Sequence, residues 1–133
     1  MSAPISESSD RPLILVVDDE PAIRLMMART LTDRGYDVRT AADGQSAITI
    51  LEGLRTLPAI AITDLEMVGV GGEELARSLA RHYPEVPVIF MTGHLPRYQP
   101  AYLPGPILQK PIGAAQLCEL IGSVLTAAAG ARS

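Results

Sequence analysis

The chain has 133 residues, of which 47% are hydrophobic and 20% charged, so it can bury one core and remain soluble. Its net charge of −4 and its low aromatic content, 4%, argue against direct binding to nucleic acid. The single cysteine, Cys118, excludes an intramolecular disulfide and fits a reducing compartment. With no targeting segment and no long apolar run, we expect a cytoplasmic protein without membrane contact.

The first half of the chain predicts strands alternating with helices. Residues 13–17 form a continuous apolar run of β-forming residues, which is typical of a parallel strand buried on both faces. Pro21 opens a helical pattern over 21–34, and Gly35 follows its end, which is the usual punctuation of a helix. The other elements predicted in this half are a strand at 36–40, a helix at 44–53 and a strand at 59–63.

The second half continues the alternation. Its predicted elements are a helix at 73–82, a strand at 88–91, a strand at 106–109 and a helix at 113–129. Pro96, Pro100 and Pro104 mean that any helix within 94–105 is short or broken, because proline removes a backbone donor and clashes with the preceding turn. The whole pattern predicts an α/β fold with a parallel sheet and right-handed crossovers.

Polar residues stand where four of the five predicted strands end. Asp18 and Asp19 follow the first strand, Asp64 the third, Thr92 the fourth and Lys110 the fifth. Taken singly, an aspartate here is often only a helix cap, and a lysine often lies in a surface turn. Taken together, they must meet at one edge, because ligands of an open parallel sheet bind beyond the carboxyl ends of its strands.

The chemistry of this set favours a phosphoryl group held on the protein. Three neighbouring carboxylates repel one another, so that either a pKa rises or a cation binds. Oxygen ligands of this kind suit Mg²⁺. The Lys110 ammonium, the Thr92 hydroxyl and the Gly93 backbone N–H can contact phosphate oxygens, and a carboxylate is available as nucleophile. No glycine-rich nucleotide-binding motif is present.

Four motifs, at 16–21, 63–67, 91–93 and 109–111, together resemble the response regulator receiver domain. The resemblance covers nearly the whole chain. It implies a flavodoxin-like, doubly wound sheet of five parallel strands in the order 2-1-3-4-5, with a shortened fourth helix. The corresponding domain organisation is a flexible N-terminal tail at 1–11, a receiver domain at 12–129 and a C-terminal tail at 130–133.

The resemblance also implies a role for each acidic position. Asp64 matches the aspartate that is phosphorylated by a histidine kinase or a phosphotransfer protein. Asp18 and Asp19 match the acidic pair that holds Mg²⁺, with Asp19 the more direct ligand. Asp64 contributes to the same metal site, and Glu66 stands where a backbone carbonyl completes the metal shell.

Two further positions match the switch of the family. Thr92 matches the hydroxyl that follows the phosphoryl group, and Lys110 matches the lysine that pairs with the phosphorylated carboxylate. Pro111 follows Lys110 where the family usually has a cis peptide bond. The resemblance therefore implies a signalling module rather than an enzyme, with Mg²⁺ as its cofactor.

The sequence departs from the family pattern in three places. Val68 and Gly71 replace a proline and an acid after the phosphoacceptor, which predicts a looser loop. Ile107 stands where the family usually has an aromatic switch residue, and β-branched isoleucine is stiff at χ1. We therefore expect a monomer or weak dimer. Separately, we expect a receiver without an output domain of its own, which signals to an unknown downstream protein.

Three alternatives to a free-standing receiver remain open at this point. The first is a receiver excised from a hybrid histidine kinase. A small Mg²⁺-dependent phosphatase with an aspartyl-phosphate intermediate is a second class, although such enzymes usually have Asp-x-Asp rather than adjacent acids. The third is a pseudo-receiver that serves as a binding scaffold, against which the intact acidic set argues.

Overall fold

Five parallel strands form one sheet in the computed structural model, which describes residues 11–67, 71–93 and 105–132. The strands are paired in the order β2-β1-β3-β4-β5, which confirms the predicted topology. Their bounds are Leu13–Val17 for β1, Asp37–Ala41 for β2, Ile60–Asp64 for β3, Val88–Thr92 for β4 and Ile107–Gln109 for β5.

The three central strands are apolar almost throughout, and the sheet buries them. All five residues of β3 and of β4 are buried, and so are four of the five in β1. Successive side chains point to opposite faces of a strand, so that Leu15 and Val17 contact one core and Ile14 and Val16 the other. Continuous apolar runs thus arise because the sheet is covered on both sides.

Four helices cover the two faces of the described sheet. They are Pro21–Asp33 (α1), Gly44–Gly53 (α2), Gly72–His82 (α3) and Ala114–Arg132 (α4). On one face α2 and α3 pack through a set of small and aliphatic residues, Ala47, Leu51, Leu75, Ala76 and Leu79. On the other face α1 and α4 pack through Met27, Leu31, Leu117 and Ile121. The fold is therefore doubly wound, as predicted.

The helix ends follow local signals in the sequence. Pro21 is the first residue of α1, where its missing N–H leaves no bond unmade. Gly35, just beyond α1, has a φ of +96°, a conformation that side chains disfavour. Asp43 caps α2 by accepting a 2.7 Å hydrogen bond from the Ser46 backbone N–H. These ends fix where each following strand can begin.

The element bounds differ from prediction by one residue in most cases and by three at the last helix. We predict that this helix ends at 129, but α4 continues to Arg132. The alanines around Gly130 favour helix, and one glycine near an end lowers helix propensity by only about 1 kcal/mol relative to alanine. Strand β5 begins at Ile107 because Pro106 has no N–H to donate to a ladder.

Several sequence predictions fall outside the described residues. They are the N-terminal tail apart from residue 11, the loop at 68–70, the proline-rich part of 94–104 with its shortened helix, and the last residue of the C-terminal tail. Within the three described ranges, no helix is both long and apolar enough to cross a bilayer.

Gly72 is required where α3 begins against the end of β3. A Cβ at this position would overlap the backbone carbonyl oxygen of Asp64 and lie 2.9 Å from the Cα of Leu65. Any side chain would therefore push the helix away from the carboxyl end of β3. The close approach fixes the backbone directly behind Asp64.

Candidate functional site

Backbone hydrogen bonds and strand register join the carboxyl ends of neighbouring strands. The Asp18 N–H donates to the Ala41 carbonyl at 3.1 Å, and the Lys110 N–H donates to the Thr92 carbonyl at 2.8 Å. Asp64 is the last residue of β3 and lies opposite Met91 of β4. The sheet ladder thus holds the predicted site residues at one edge, before any side-chain contact is considered.

Asp18 is fully buried, and each of its oxygens has a partner. The Glu20 backbone N–H donates to Asp18 Oδ1 at 2.9 Å, while Lys110 Nζ donates to Oδ2 at 2.8 Å. The Arg24 guanidinium donates to the Asp18 backbone carbonyl at 2.7 Å. In the described part of the chain no buried side-chain nitrogen or oxygen is left without a partner. The carboxylate is therefore held in one orientation.

Lys110 reaches across the sheet edge to three carboxylates. Its Nζ lies 2.8 Å from Asp18 Oδ2, 3.3 Å from Asp64 Oδ2 and 3.4 Å from Glu20 Oε1. Burial disfavours the ammonium, but the hydrogen bond and charge of Asp18, together with the charge of Asp64, outweigh it and raise the pKa of Lys110. The peptide bond between Lys110 and Pro111 is cis, as the resemblance implies.

Asp64 is buried, with 2% of its surface exposed. Its Oδ1 accepts a 3.3 Å hydrogen bond from the Glu66 backbone N–H. Burial raises the pKa of Asp64 to about 6. The positive charge of Lys110 lowers this pKa, and the negative charge of Asp18 raises it. At neutral pH the side chain is therefore mainly a carboxylate, although it lies in surroundings that disfavour its charge.

The three predicted aspartates come together in a group that suits a divalent cation. One carboxylate oxygen from each of Asp18, Asp19 and Asp64 lies within 4.8 Å of the others. Asp18 and Asp64 are buried, whereas Asp19 is exposed. Carboxylate oxygens with access to water are the ligands that Mg²⁺ prefers, so the donor set fits that ion. When bound, Mg²⁺ would supply positive charge to a site that holds three acids.

A contact that the sequence analysis missed involves the side chain of Glu66. Its carboxylate accepts a hydrogen bond from the Thr92 hydroxyl through Oε2, and one from the Gly93 backbone N–H through Oε1 at 3.2 Å. The resemblance implies a role for Glu66 through its backbone carbonyl only. A glutamate two positions after Asp64 was the available signal, but its partners are 26 and 27 residues further along the chain.

An open sheet of this strand order with acids at its carboxyl edge is the architecture of the flavodoxin-like signalling domains. The sequence profile of the response regulator receiver domain matches residues 14–122. The chain therefore belongs to the response regulator receiver family. Receivers act in two-component signal transduction, and magnesium and phosphorylation both fit the family.

Relatives in sequence and structure agree with this assignment. The chain is 32% identical over 124 residues to the sensor kinase CckA of Brucella abortus, covering 90% of this chain and 13% of that protein. It is 40% identical over 83 residues to the nitrogen assimilation regulatory protein NtrX of Azorhizobium caulinodans, covering 61% and 18% respectively. The chain thus spans less than a fifth of either protein.

Solved structures match over most of the chain. The crystal structure of a response regulator receiver protein from Sinorhizobium medicae superposes with a TM-score of 0.80 at 29% identity, covering 90% of this chain and 98% of that one. NtrX from Brucella abortus superposes with a TM-score of 0.83 at 29% identity, covering 92% of this chain and 29% of that one. The fold is therefore shared with nearly the whole of one solved chain and with part of a longer one.

Proposed function

We propose that Asp64 accepts a phosphoryl group from a phosphohistidine of a histidine kinase or phosphotransfer protein. The observation that supports this most strongly is the position of Lys110, whose ammonium lies 3.3 Å from Asp64 Oδ2 and 2.8 Å from Asp18 Oδ2. A fixed cation beside a buried carboxylate is suited to offset the charge of a transferring phosphoryl group. Asp18, Asp19, Asp64 and the backbone carbonyl of Glu66 would hold the Mg²⁺ that the reaction requires.

The transfer forms one bond and breaks one. An oxygen of the Asp64 carboxylate attacks phosphorus, and the bond from phosphorus to the histidine nitrogen breaks. The bonding electron pair stays on the imidazole, which takes up a proton, so that no further co-reactant is needed. The Thr92 hydroxyl and the Gly93 N–H are donors that the end of β4 could offer to a phosphoryl oxygen in place of the Glu66 carboxylate that they contact.

The output of this receiver would be a change in its contacts with a downstream protein in the cytoplasm. A second placement, as the receiver of a hybrid kinase, is favoured by the similarity to a sensor kinase of which this chain covers 13%. Phosphotransfer profiling against purified kinases would separate these placements. A hybrid-kinase receiver should be labelled fastest by one particular kinase core and should pass the label on to a phosphotransfer protein.

The test of the proposed function is labelling with acetyl phosphate. The wild type should take up at most one phosphoryl group per chain with Mg²⁺ and none with EDTA, and Asp64→Asn should take up none. Matched labelling of Asp64→Asn and wild type would contradict the assignment. Continuous turnover of small phosphomonoesters would favour the phosphatase instead, because a receiver is phosphorylated once and its phosphoryl group is hydrolysed slowly.

A further inference from the structure

The Glu66 carboxylate satisfies two hydrogen-bond donors at the end of β4. Its two oxygens accept from the Thr92 hydroxyl and from the Gly93 N–H, so one anionic group holds both donors at once. Thr92 is fully buried and Glu66 is half-buried, which strengthens such charge-assisted bonds. The contact closes the gap between the loop after β3 and the end of β4.

These donors lie next to Asp64. Asp64 pairs in register with Met91, the residue before Thr92, so the two strands end side by side. On the other side, Lys110 contacts Asp64 Oδ2 at 3.3 Å. A phosphoryl group on Asp64 adds anionic oxygens at this edge, and Thr92 and Gly93, at the adjoining end of β4, carry the donors that Glu66 holds.

We propose that the Glu66 side chain competes internally with the phosphoryl group for the donor pair Thr92 and Gly93. The inference rests on the proposed function of Asp64. A single donor hydrogen cannot form a full hydrogen bond with two anions at once, and two anions side by side repel one another. The unphosphorylated chain therefore keeps the pair occupied, and phosphorylation requires that the Glu66 side chain leave.

The local structure allows such a departure. The Glu66 backbone is anchored, because its N–H donates to Asp64 Oδ1 at 3.3 Å. Its side chain has three rotatable bonds and is only half-buried, so that it can turn into water while the backbone stays in place. When the site is occupied in most molecules, the apparent affinity of the entering group equals its intrinsic affinity multiplied by the fraction of molecules in which the site is vacant.

The experiment measures the affinity of the Mg²⁺-loaded protein for beryllofluoride, a mimic of the phosphoryl group, by ¹⁹F NMR titration. Glu66→Ala should bind it about tenfold more tightly than the wild type, because the charge-assisted bonds to the competitor are gone. Glu66→Gln should lie between the two, since a neutral amide still accepts hydrogen bonds. The matched control is Glu52→Gln, an exposed glutamate on α2, which should bind as the wild type does.

A second pair of variants separates competition for donors from simple repulsion. In a Thr92→Val background one of the two donors is missing, so the gain from Glu66→Ala should fall to about threefold or less. Repulsion through space would leave the gain unchanged. In the free protein, Glu66→Ala should also speed hydrogen exchange of the Gly93 amide, because that amide loses its acceptor.

The outcomes distinguish this inference from the proposed function. If the wild type binds beryllofluoride and Glu66→Ala binds it with the same or lower affinity, the competition is overturned, while the role of Asp64 stands. An unchanged Gly93 exchange rate, or an undiminished gain in the Thr92→Val background, would overturn it as well. If neither the wild type nor Glu66→Ala binds beryllofluoride, the proposed function fails and the inference falls with it.

Discussion

The interior of the central strands buries apolar side chains, whereas the carboxyl ends of the same three strands bury polar ones. Within β1, β3 and β4, buried aliphatic side chains pack on both faces of the sheet. At the ends of the same strands, Asp18, Asp64 and Thr92 are equally buried but polar. The interior supplies the stability of the fold, and the ends hold charges whose burial opposes it.

Burial alone therefore does not identify a structural residue. Burial of Phe90 removes an apolar ring from water and stabilises the fold. Burial of Asp64 raises its pKa to about 6, which means that the surroundings disfavour the carboxylate. Such a cost is tolerated where a group has chemistry to perform.

The largest expected effect comes from the interior. Phe90 lies in the middle of β4 with none of its surface exposed. Phe90→Ala should lower the free energy of unfolding by about 3–5 kcal/mol, because it removes a buried ring and leaves a cavity. Urea unfolding followed by circular dichroism measures this. Leu25→Ala, at a side chain that is 54% exposed, is the control and should change stability by no more than about 0.5 kcal/mol. Equal losses would mean that the interior does not dominate stability.

The next effect is the response of the carboxyl ends to metal. At a Mg²⁺ concentration of about 100 times Kd, the free energy of unfolding should rise by about 2.7 kcal/mol, because the ion binds the folded acids only. Asp19→Asn should weaken this response more than Asp18→Asn, since Asp18 already faces the Lys110 ammonium at 2.8 Å. Urea unfolding with Mg²⁺ and with EDTA gives both values. An unchanged or lowered stability on adding Mg²⁺ would contradict the metal site.

The sequence was sufficient to predict the convergence of the site but not its side-chain contacts. Strand order and parallel direction bring Asp18, Asp64 and Lys110 to one edge whatever their rotamers are, so the alternation of elements and the resemblance predict it. The bond from Thr92 to Glu66 depends instead on two loop ends that are 26 residues apart and on one rotamer of a long side chain. Local patterns carry no information about such a choice.

Helix and strand ends show the same limit on a smaller scale. Pro21 and Asp43 are strong local signals, and both mark helix starts correctly. Gly130 is a weak signal, and α4 runs past it to Arg132 because its neighbours favour helix. The role of Gly72 was missed, because only the folded backbone shows how closely α3 approaches the carbonyl of Asp64.

The pH dependence of the free energy of unfolding shows whether the buried carboxylate of Asp64 destabilises the fold. Its pKa is about 6 in the folded protein, above the ordinary value of 3.8. In metal-free protein, the folded state therefore keeps a proton on Asp64 that the unfolded chain releases between these values, and the contribution of Asp64 to stability falls as pH rises through that interval. Asp64→Asn cannot titrate there. Asp43 has the opposite character, because its hydrogen bonds with Ser46 lower its pKa.

The deciding measurement is the free energy of unfolding of wild type and Asp64→Asn in EDTA, at pH 4 and at pH 7.5. We predict that the advantage of Asp64→Asn over the wild type grows by about 2–3 kcal/mol between the two pH values. Asp43→Asn, the control, should differ from the wild type by nearly the same amount at both pH values, because the pKa of Asp43 lies at or below 3.8 in the unfolded and the folded chain alike. An advantage of Asp64→Asn that is the same at both pH values, or that shrinks at pH 7.5, would contradict the account.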